Sequence, residues 1–231
     1  MKKIMFSDKY GLTKAVLNGR KTMTRRIVKS DNIIQITTSD GVVHHVDKST
    51  GSYHEYKDRE GKIWLAWSPF KVGDVVAVAQ SYKDLGFTPD TIQRGKCVRK
   101  GSYCKDWEDT YLGQLGDWYI DQLAGWNNKM FVFADMCNHH IHITDIKFQR
   151  LQDINGYECI QEGIERVQCG SGYRGSSLEP IVIPQDFRVP NTKDRYLFVT
   201  EAIKNLFDGI NGKGTWDRNP YVFAYSFELI Q

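Results

Sequence analysis

No stretch of this 231-residue chain approaches the roughly 20 consecutive apolar residues that a helix needs to cross a bilayer. The Ile4 to Phe6 group is too short for the hydrophobic region of a secretion signal, so a cytoplasmic protein with no membrane partner is expected. Cysteine is scarce: the five, at positions 97, 104, 137, 159 and 169, form neither a C-x-x-C pair nor an even set, which argues against a disulfide framework and fits a reducing compartment. The chain also lacks a G-x-G-x-x-G fingerprint and a G-x-x-x-x-G-K-S/T phosphate loop. Cys137-Asn138-His139-His140-Ile141-His142, even with Cys97 and Cys104, has no standard zinc spacing and reads as a polar loop with separate thiols. Neither a metal nor another cofactor is expected.

What is present suffices for a substantial core, with 41% hydrophobic and 13% aromatic residues in a length that permits one large domain or two small ones. Net charge is only +3, yet residues 1 to 30 hold nine Lys or Arg against one Asp, so the basic character is local. It concentrates in Gly19-Arg20-Lys21-Thr22-Met23-Thr24-Arg25-Arg26, a pattern suited to an anionic or nucleotide-like partner. Ser7 or Asp8 is expected to cap a helix whose Leu12, Ala15, Val16 and Leu17 form a buried stripe, with Gly19 closing it in a positive-φ conformation. If the cluster is extended, Arg20, Thr22 and Thr24 share one face and Lys21, Met23 and Arg25 the other, so Lys21 and Thr24 converge only at a turn.

Further along, residues 30 to 62 read as hairpins or a surface insertion, and Lys71-Val72-Gly73-Asp74 as a turn into a buried strand, Val75 to Ala79. Residues 83 to 129 show no sustained period and read as a long excursion from the core. Met130 to Ala134 and Ile141 to Phe148 are expected strands, followed by a short helix with Asn155 at its cap, Glu158 three residues later and Gly163 at its end. A helix over 192 to 207, with Tyr196, Val199, Ile203 and Leu206 at helical spacing, and a last strand from Tyr221 to Ile230 complete a pattern that favours a small mixed barrel over a doubly wound sheet.

Several of these pieces together resemble the ASCH family, whose fold is similar to the RNA-binding PUA domain. The resemblance rests on Gly19 to Arg26, Lys71-Val72-Gly73-Asp74, Ile143-Thr144-Asp145-Ile146, Leu151-Gln152-Asp153-Ile154, Glu162-Gly163-Ile164, and Gly212-Lys213-Gly214-Thr215-Trp216-Asp217 through Asn219-Pro220. They follow the order seen in larger bacterial and phage members and span nearly the whole chain. The resemblance implies an α+β, PUA-like single domain over 1 to 231: a small β-barrel with peripheral helices and insertions at 30 to 62 and 83 to 129. Where larger members often carry Arg-Glu-Thr-Trp, this chain has Ala79-Gln80-Ser81-Tyr82, and Gln80 offers a hydrogen bond to a base or amide.

Two functions follow from the resemblance, and a third needs none. PUA-like domains commonly bind RNA, which makes Arg20, Lys21, Thr22, Thr24, Arg25, Arg26, Gln80 and Trp216 candidate contacts to RNA or to a modified nucleoside or nucleotide. This is the leading expectation. Compact ASCH proteins include amidohydrolases that remove the acetyl group from N4-acetylcytidine, and their Lys, Thr and Glu match Lys21, Thr24 and Glu162. In that chemistry Thr24 attacks the acyl carbon, Lys21, its pKa lowered by desolvation and neighbouring guanidinium groups, takes the proton, Glu162 orients the lysine, and one arginine stabilises the oxyanion. The third reading is a protein-interaction scaffold without a small ligand. Most of Trp64, Trp67, Tyr82, Trp107, Trp118, Trp126, Trp216 and Tyr221 are expected in core or lid packing, with Trp216 the one held by a turn beside the cleft.

Overall fold

The computed structural model describes residues 1–29, 33–36, 51–86, 125–168 and 185–230. In chain order the strands are β1 (Lys3–Ile4), β2 (Met23–Ile27), β3 (Ile33–Ile36), β4 (Ser52–Lys57), β5 (Ile63–Ser68), β6 (Val75–Val78), β7 (His140–Arg150), β8 (Glu165–Gln168), β9 (Gln185–Arg188) and β10 (Tyr221–Ile230). The helices are α1 (Leu12–Leu17), α2 (Gly156–Gln161), α3 (Val199–Asn211) and α4 (Thr215–Arg218). The architecture is α+β, strand-rich, with no closed barrel among the described residues. No helix among them is long and apolar enough to cross a membrane.

The chain divides into two compact units. The first comprises Met1–Phe6, Val75–Ile141 and Ile230–Gln231. In it β1 runs parallel to β6, with Lys3 opposite Ala77 and Ile4 opposite Val78. Ala77, Tyr82, Val132 and Cys137 form its buried cluster. The strand expected from Met130 to Ala134 is instead a pair of 3-10 turns, Lys129–Phe131 and Ala134–Met136. The local polar groups explain the difference. Asn128 accepts the Met130 amide at 3.0 Å, and Lys3 Nζ donates to the carbonyls of Lys129, Met130 and Val132, so backbone groups that a strand would offer a neighbour are satisfied in place. Val132 is buried while Phe131 and Phe133 on either side are exposed, an alternation that mimics a strand in sequence.

The second unit comprises Ser7–Asp74 and His142–Leu229. Here β7, β10 and β2 lie side by side in that order. β10 and β2 are antiparallel, with Thr24 opposite Tyr225, Arg25 opposite Ala224 and Arg26 opposite Phe223. β3, β5 and β4 form an antiparallel sheet with β5 in the middle. Its Tyr56 and Trp64 meet Tyr221 edge-on or tilted at 5.7 and 5.4 Å between ring centroids, and the aromatic column continues through Phe148, Phe223, Tyr225 and Phe70. These rings occupy alternate positions of β10, so one face of that strand is almost entirely aromatic. β8 and β9 make a two-stranded ribbon.

Two helix starts differ from those expected. Helix α1 starts later: Ser7 contributes its carbonyl to the Leu12 amide and Asp8 a carboxylate oxygen to the Thr13 hydroxyl, while Gly11 is the N-cap residue and no side chain caps the helix. Gly19 closes it with φ of 68° as its sequence position implied. Helix α3 spans Val199–Asn211, so residues 192 to 198 are not part of it. Tyr196 instead pairs with Phe187 through two backbone hydrogen bonds of 2.8 Å, which hold that segment extended. The buried stripe of α3 is Ala202, Ile203, Leu206 and Phe207. Most of the excursion at 83 to 129, with Trp107 and Trp118, lies outside the described residues, as do His44, His45, Cys97, Cys104 and Cys169.

Candidate functional site

Lys21 reaches its position through backbone constraints at both ends. After α1, the amides of Arg20 and Lys21 both donate to the Ala15 carbonyl, at 2.9 and 3.0 Å, and this folds the chain back toward the helix. The next amide, Thr22, donates to the Gln161 carbonyl at 3.0 Å, and the Thr22 carbonyl accepts from Phe227 at 2.9 Å. Thr22 therefore ties the entry of β2 to the end of α2 and to β10.

Helix α2 is fixed by a reciprocal capping box. The Asn155 side chain accepts the Glu158 amide at 2.9 Å, and Glu158 Oε2 accepts the Asn155 amide at 3.2 Å. At the other end Glu162 is the C-cap residue, and Gly163 follows with φ of 108°. A methyl group on Gly163 would stand 3.2 Å from the Leu12 side chain, a tight contact, and 3.6 Å from the Lys21 side chain, an ordinary one.

These constraints bring Lys21 and Glu162 together. Lys21 Nζ donates to Glu162 Oε2 at 2.7 Å and to the Glu162 carbonyl at 2.6 Å, and the two side chains are 1% and 3% exposed. Arg25 enters from β2. Its Nη1 donates to Glu162 Oε1 at 3.1 Å and its Nη2 to Glu158 Oε2 at 2.6 Å, with the guanidinium fully buried. Glu158 and Glu162 are four residues apart, hence on one face of α2. The half-exposed Lys147 adds a longer contact to Glu158 at 3.5 Å.

Burial pushes the Lys21 pKa down from the ordinary lysine value; Glu162 opposes this, and Arg26 and Arg25 add to it. The Arg26 pKa is also lowered by burial, against the fields of Glu162 and Tyr225. Lys21 and Arg25 thus share Glu162, Arg25 and Lys147 share Glu158, and Arg26 feels the field of Glu162.

Thr24 is buried in β2 opposite Tyr225, and strand alternation puts it on the face shared with Arg26. That face carries Tyr225, whose hydroxyl lies 3.0 Å from that of Ser68 and whose pKa burial pushes up to about 12. The described contacts join Lys21, Arg25, Glu158 and Glu162 directly, and none of them includes Thr24. Arg26 feels both Glu162 and Tyr225, so it stands electrostatically between the two groups.

The remaining sequence candidates fall elsewhere. Arg20 is partly exposed, donating to the Gly163 carbonyl at 2.7 Å and pairing with Glu165 at 3.2 Å. Gln80 belongs to the first unit, where it is buried with Oε1 at 2.9 Å from His139 Nδ1. Trp216 is on α4, half-buried, with its amide donating to Asp208 and its carbonyl accepting from Gln152. Among the described residues no group of three or more His, Cys, Asp or Glu side chains is arranged to hold a metal ion.

Glu158 is the member that sequence reasoning used only as a cap. The signal for its second role was present: carboxylates at i and i+4 of a short helix, facing basic residues at alternate positions of a strand. Comparison of the chain with family models, with curated proteins and with solved structures gave no match.

Proposed function

We propose that this protein is an ASCH-type amidohydrolase of PUA-like ancestry that removes the acyl group from an N4-acylated cytosine nucleoside. The reaction class is supported above all by one observation: a buried lysine paired at 2.7 Å with a buried glutamate that a buried arginine also engages. Burial lowers the hold of this lysine on its proton, which suits an amine that acts as a proton acceptor. The identity of the acylated amine comes from the family resemblance of Gly19 to Arg26 and of Glu162-Gly163-Ile164.

In the proposed mechanism Thr24 Oγ1 adds to the acyl carbon while its proton passes to Lys21 Nζ through an intervening water, since no described contact joins the two side chains. The tetrahedral intermediate collapses with cleavage of the C–N bond, and Lys21 returns the proton to the departing amine. A water molecule, deprotonated by Lys21, then releases the acyl group from the Thr24 ester as the carboxylic acid. Glu162 holds Lys21 in place throughout, and Arg26, on the Thr24 face of β2, is the guanidinium suited to the oxyanion.

RNA binding through an open basic groove draws less support. Lys21 and Arg25 are buried on carboxylates, so these two charges are already compensated within the fold, while Arg20 shares Glu165 with Arg188. The test is release of acetate from N4-acetylcytidine by the purified chain. Turnover is expected, and loss of at least about 100-fold on Lys21→Ala or Thr24→Ala in folded protein follows from removing a base or a nucleophile. Absence of turnover on the nucleoside and on acetylated RNA, with RNA retained in a binding assay, would replace this reading with the nucleic-acid one.

A further inference from the structure

Resting on the amidohydrolase reading, we propose that Arg25, with Glu158 as its counter-ion, is the positioning residue that sets the Glu162 carboxylate against Lys21 and so weakens the hold of Lys21 on its proton. The geometry has three parts. Arg25 occupies Oε1 of Glu162, which leaves Oε2 to Lys21 and fixes the carboxylate between the two cations. The second arm of the same guanidinium lies on Glu158, so the fork is held from both sides and cannot swing away from Glu162. Glu158 is itself fixed through Oε2 by the Asn155 amide, and Lys147 reaches its Oε1.

A carboxylate shared with a guanidinium holds an ammonium less strongly than one that faces the ammonium alone. Arg25 therefore does two things to Lys21: it orients the oxygen that receives the amine, and it takes up part of the negative charge that would otherwise keep the amine protonated. Glu158 acts in the opposite electrostatic sense, since it offsets the Arg25 charge. Other charged groups near this cluster are Arg26 from β2, Arg20 from the turn before β2, Glu165 from β8 and Arg188 from β9; Glu165 is shared by Arg188 at 2.6 Å and Arg20 at 3.2 Å. From β10, opposite Met23 and Arg25, come the uncharged Ser226 and Ala224.

This arrangement predicts opposite displacements for the two partners, which no general loosening of the fold produces. The full chain, isotope-labelled at lysine Nζ and Cε, is titrated by NMR, with the Lys21 signal assigned by its disappearance in Lys21→Ala. Arg25→Gln should move the Lys21 titration to higher pH, Glu158→Gln should move it to lower pH, and Arg25→Lys, which keeps the charge but not the fork, should move it less than Arg25→Gln. Gln at 158 retains the capping box, so the helix start is preserved.

The pH profile of kcat for N4-acetylcytidine should shift with the NMR titration, with kcat at pH 7 falling in Arg25→Gln and recovering at higher pH while KM stays unchanged. A Lys21 titration unmoved in folded Arg25→Gln or Glu158→Gln, or displaced in the same direction by both, overturns the proposal. If Arg25→Gln does not fold, Glu158→Gln decides it alone: displacement to lower pH supports it and no displacement refutes it. If the wild-type chain shows no turnover, the hydrolase reading fails by itself, and the NMR titration still judges the role of Arg25.

Discussion

The Thr22 amide donates to the Gln161 carbonyl at 3.0 Å, one residue beyond Lys21 on one side and one residue before Glu162 on the other. This single backbone contact registers the strand against the helix, and the Lys21–Glu162 pair then forms without either side chain having to search for its partner. The first prediction concerns Glu162. Glu162→Gln should abolish acetate release and lower unfolding stability by about 3–5 kcal/mol in urea denaturation, because Lys21 and Arg25 are left buried with one carboxylate between them. Unchanged stability would mean that the pair is solvated.

The lowered Lys21 pKa gives a pH dependence of definite sign. Between its lowered value in the folded chain and the ordinary lysine value of 10.5, the unfolded state holds a proton that the folded state has released. Stability therefore rises with pH across that window, and Lys21→Met should flatten the rise. Turnover should climb with pH through the same lowered pKa, since the neutral amine is the active form. Denaturation midpoints and kcat measured from pH 6 to 10 in parallel check both.

Gly163→Ala should destabilise the chain by at least about 1 kcal/mol, since L residues resist the positive φ of that turn. The added methyl would crowd Leu12 at 3.2 Å, and a shift of the turn to relieve it would carry Glu162 along, so a fall in kcat is expected alongside the loss of stability. Activity kept intact in a destabilised Gly163→Ala protein would separate the turn from the site.

Cys159 lies on α2 between the two carboxylates, fully buried, and burial pushes its thiol up to about 12. Iodoacetamide followed by peptide mass analysis should find Cys159 unmodified in the folded chain and modified once it is unfolded, because the thiolate is the reactive species. Ready modification of the native protein would show that α2 opens on the labelling timescale.

Local signals made much of this fold legible. The Asn155 and Glu158 box, the Gly163 stop, the Gly19 closure and the strand from Tyr221 to Ile230 each depend on residues adjacent in sequence, and each is found where the pattern put it. Met130 to Ala134 failed because alternating burial also arises in consecutive 3-10 turns, and the lysine that satisfies their carbonyls is Lys3, far away in the chain. The start of α3 failed because Tyr196 is claimed by Phe187, a pairing that periodicity cannot register. At the site, basic residues that read as an outward anion-binding surface turn inward at Lys21 and Arg25, since the carboxylates that receive them lie some 140 positions later. The aromatic count suggested a stacking platform or a core, and in the second unit the rings of β10 pack against Tyr56, Trp64 and Phe148.

The aromatic face of β10 has a consequence for how this chain tolerates mutation. Because Tyr221, Phe223 and Tyr225 each touch at least two other rings, a truncation at one position leaves neighbours in contact with one another, and the loss is spread over the column. The opposite face of the same stretch of sheet backs a cluster of ions in which loss of one member leaves a buried opposite charge short of a partner. Sequence drift in a lineage carrying this fold would therefore proceed by single steps on one side of the strand and only by matched exchanges on the other, a pattern of paired inheritance among positions 21, 25, 158 and 162.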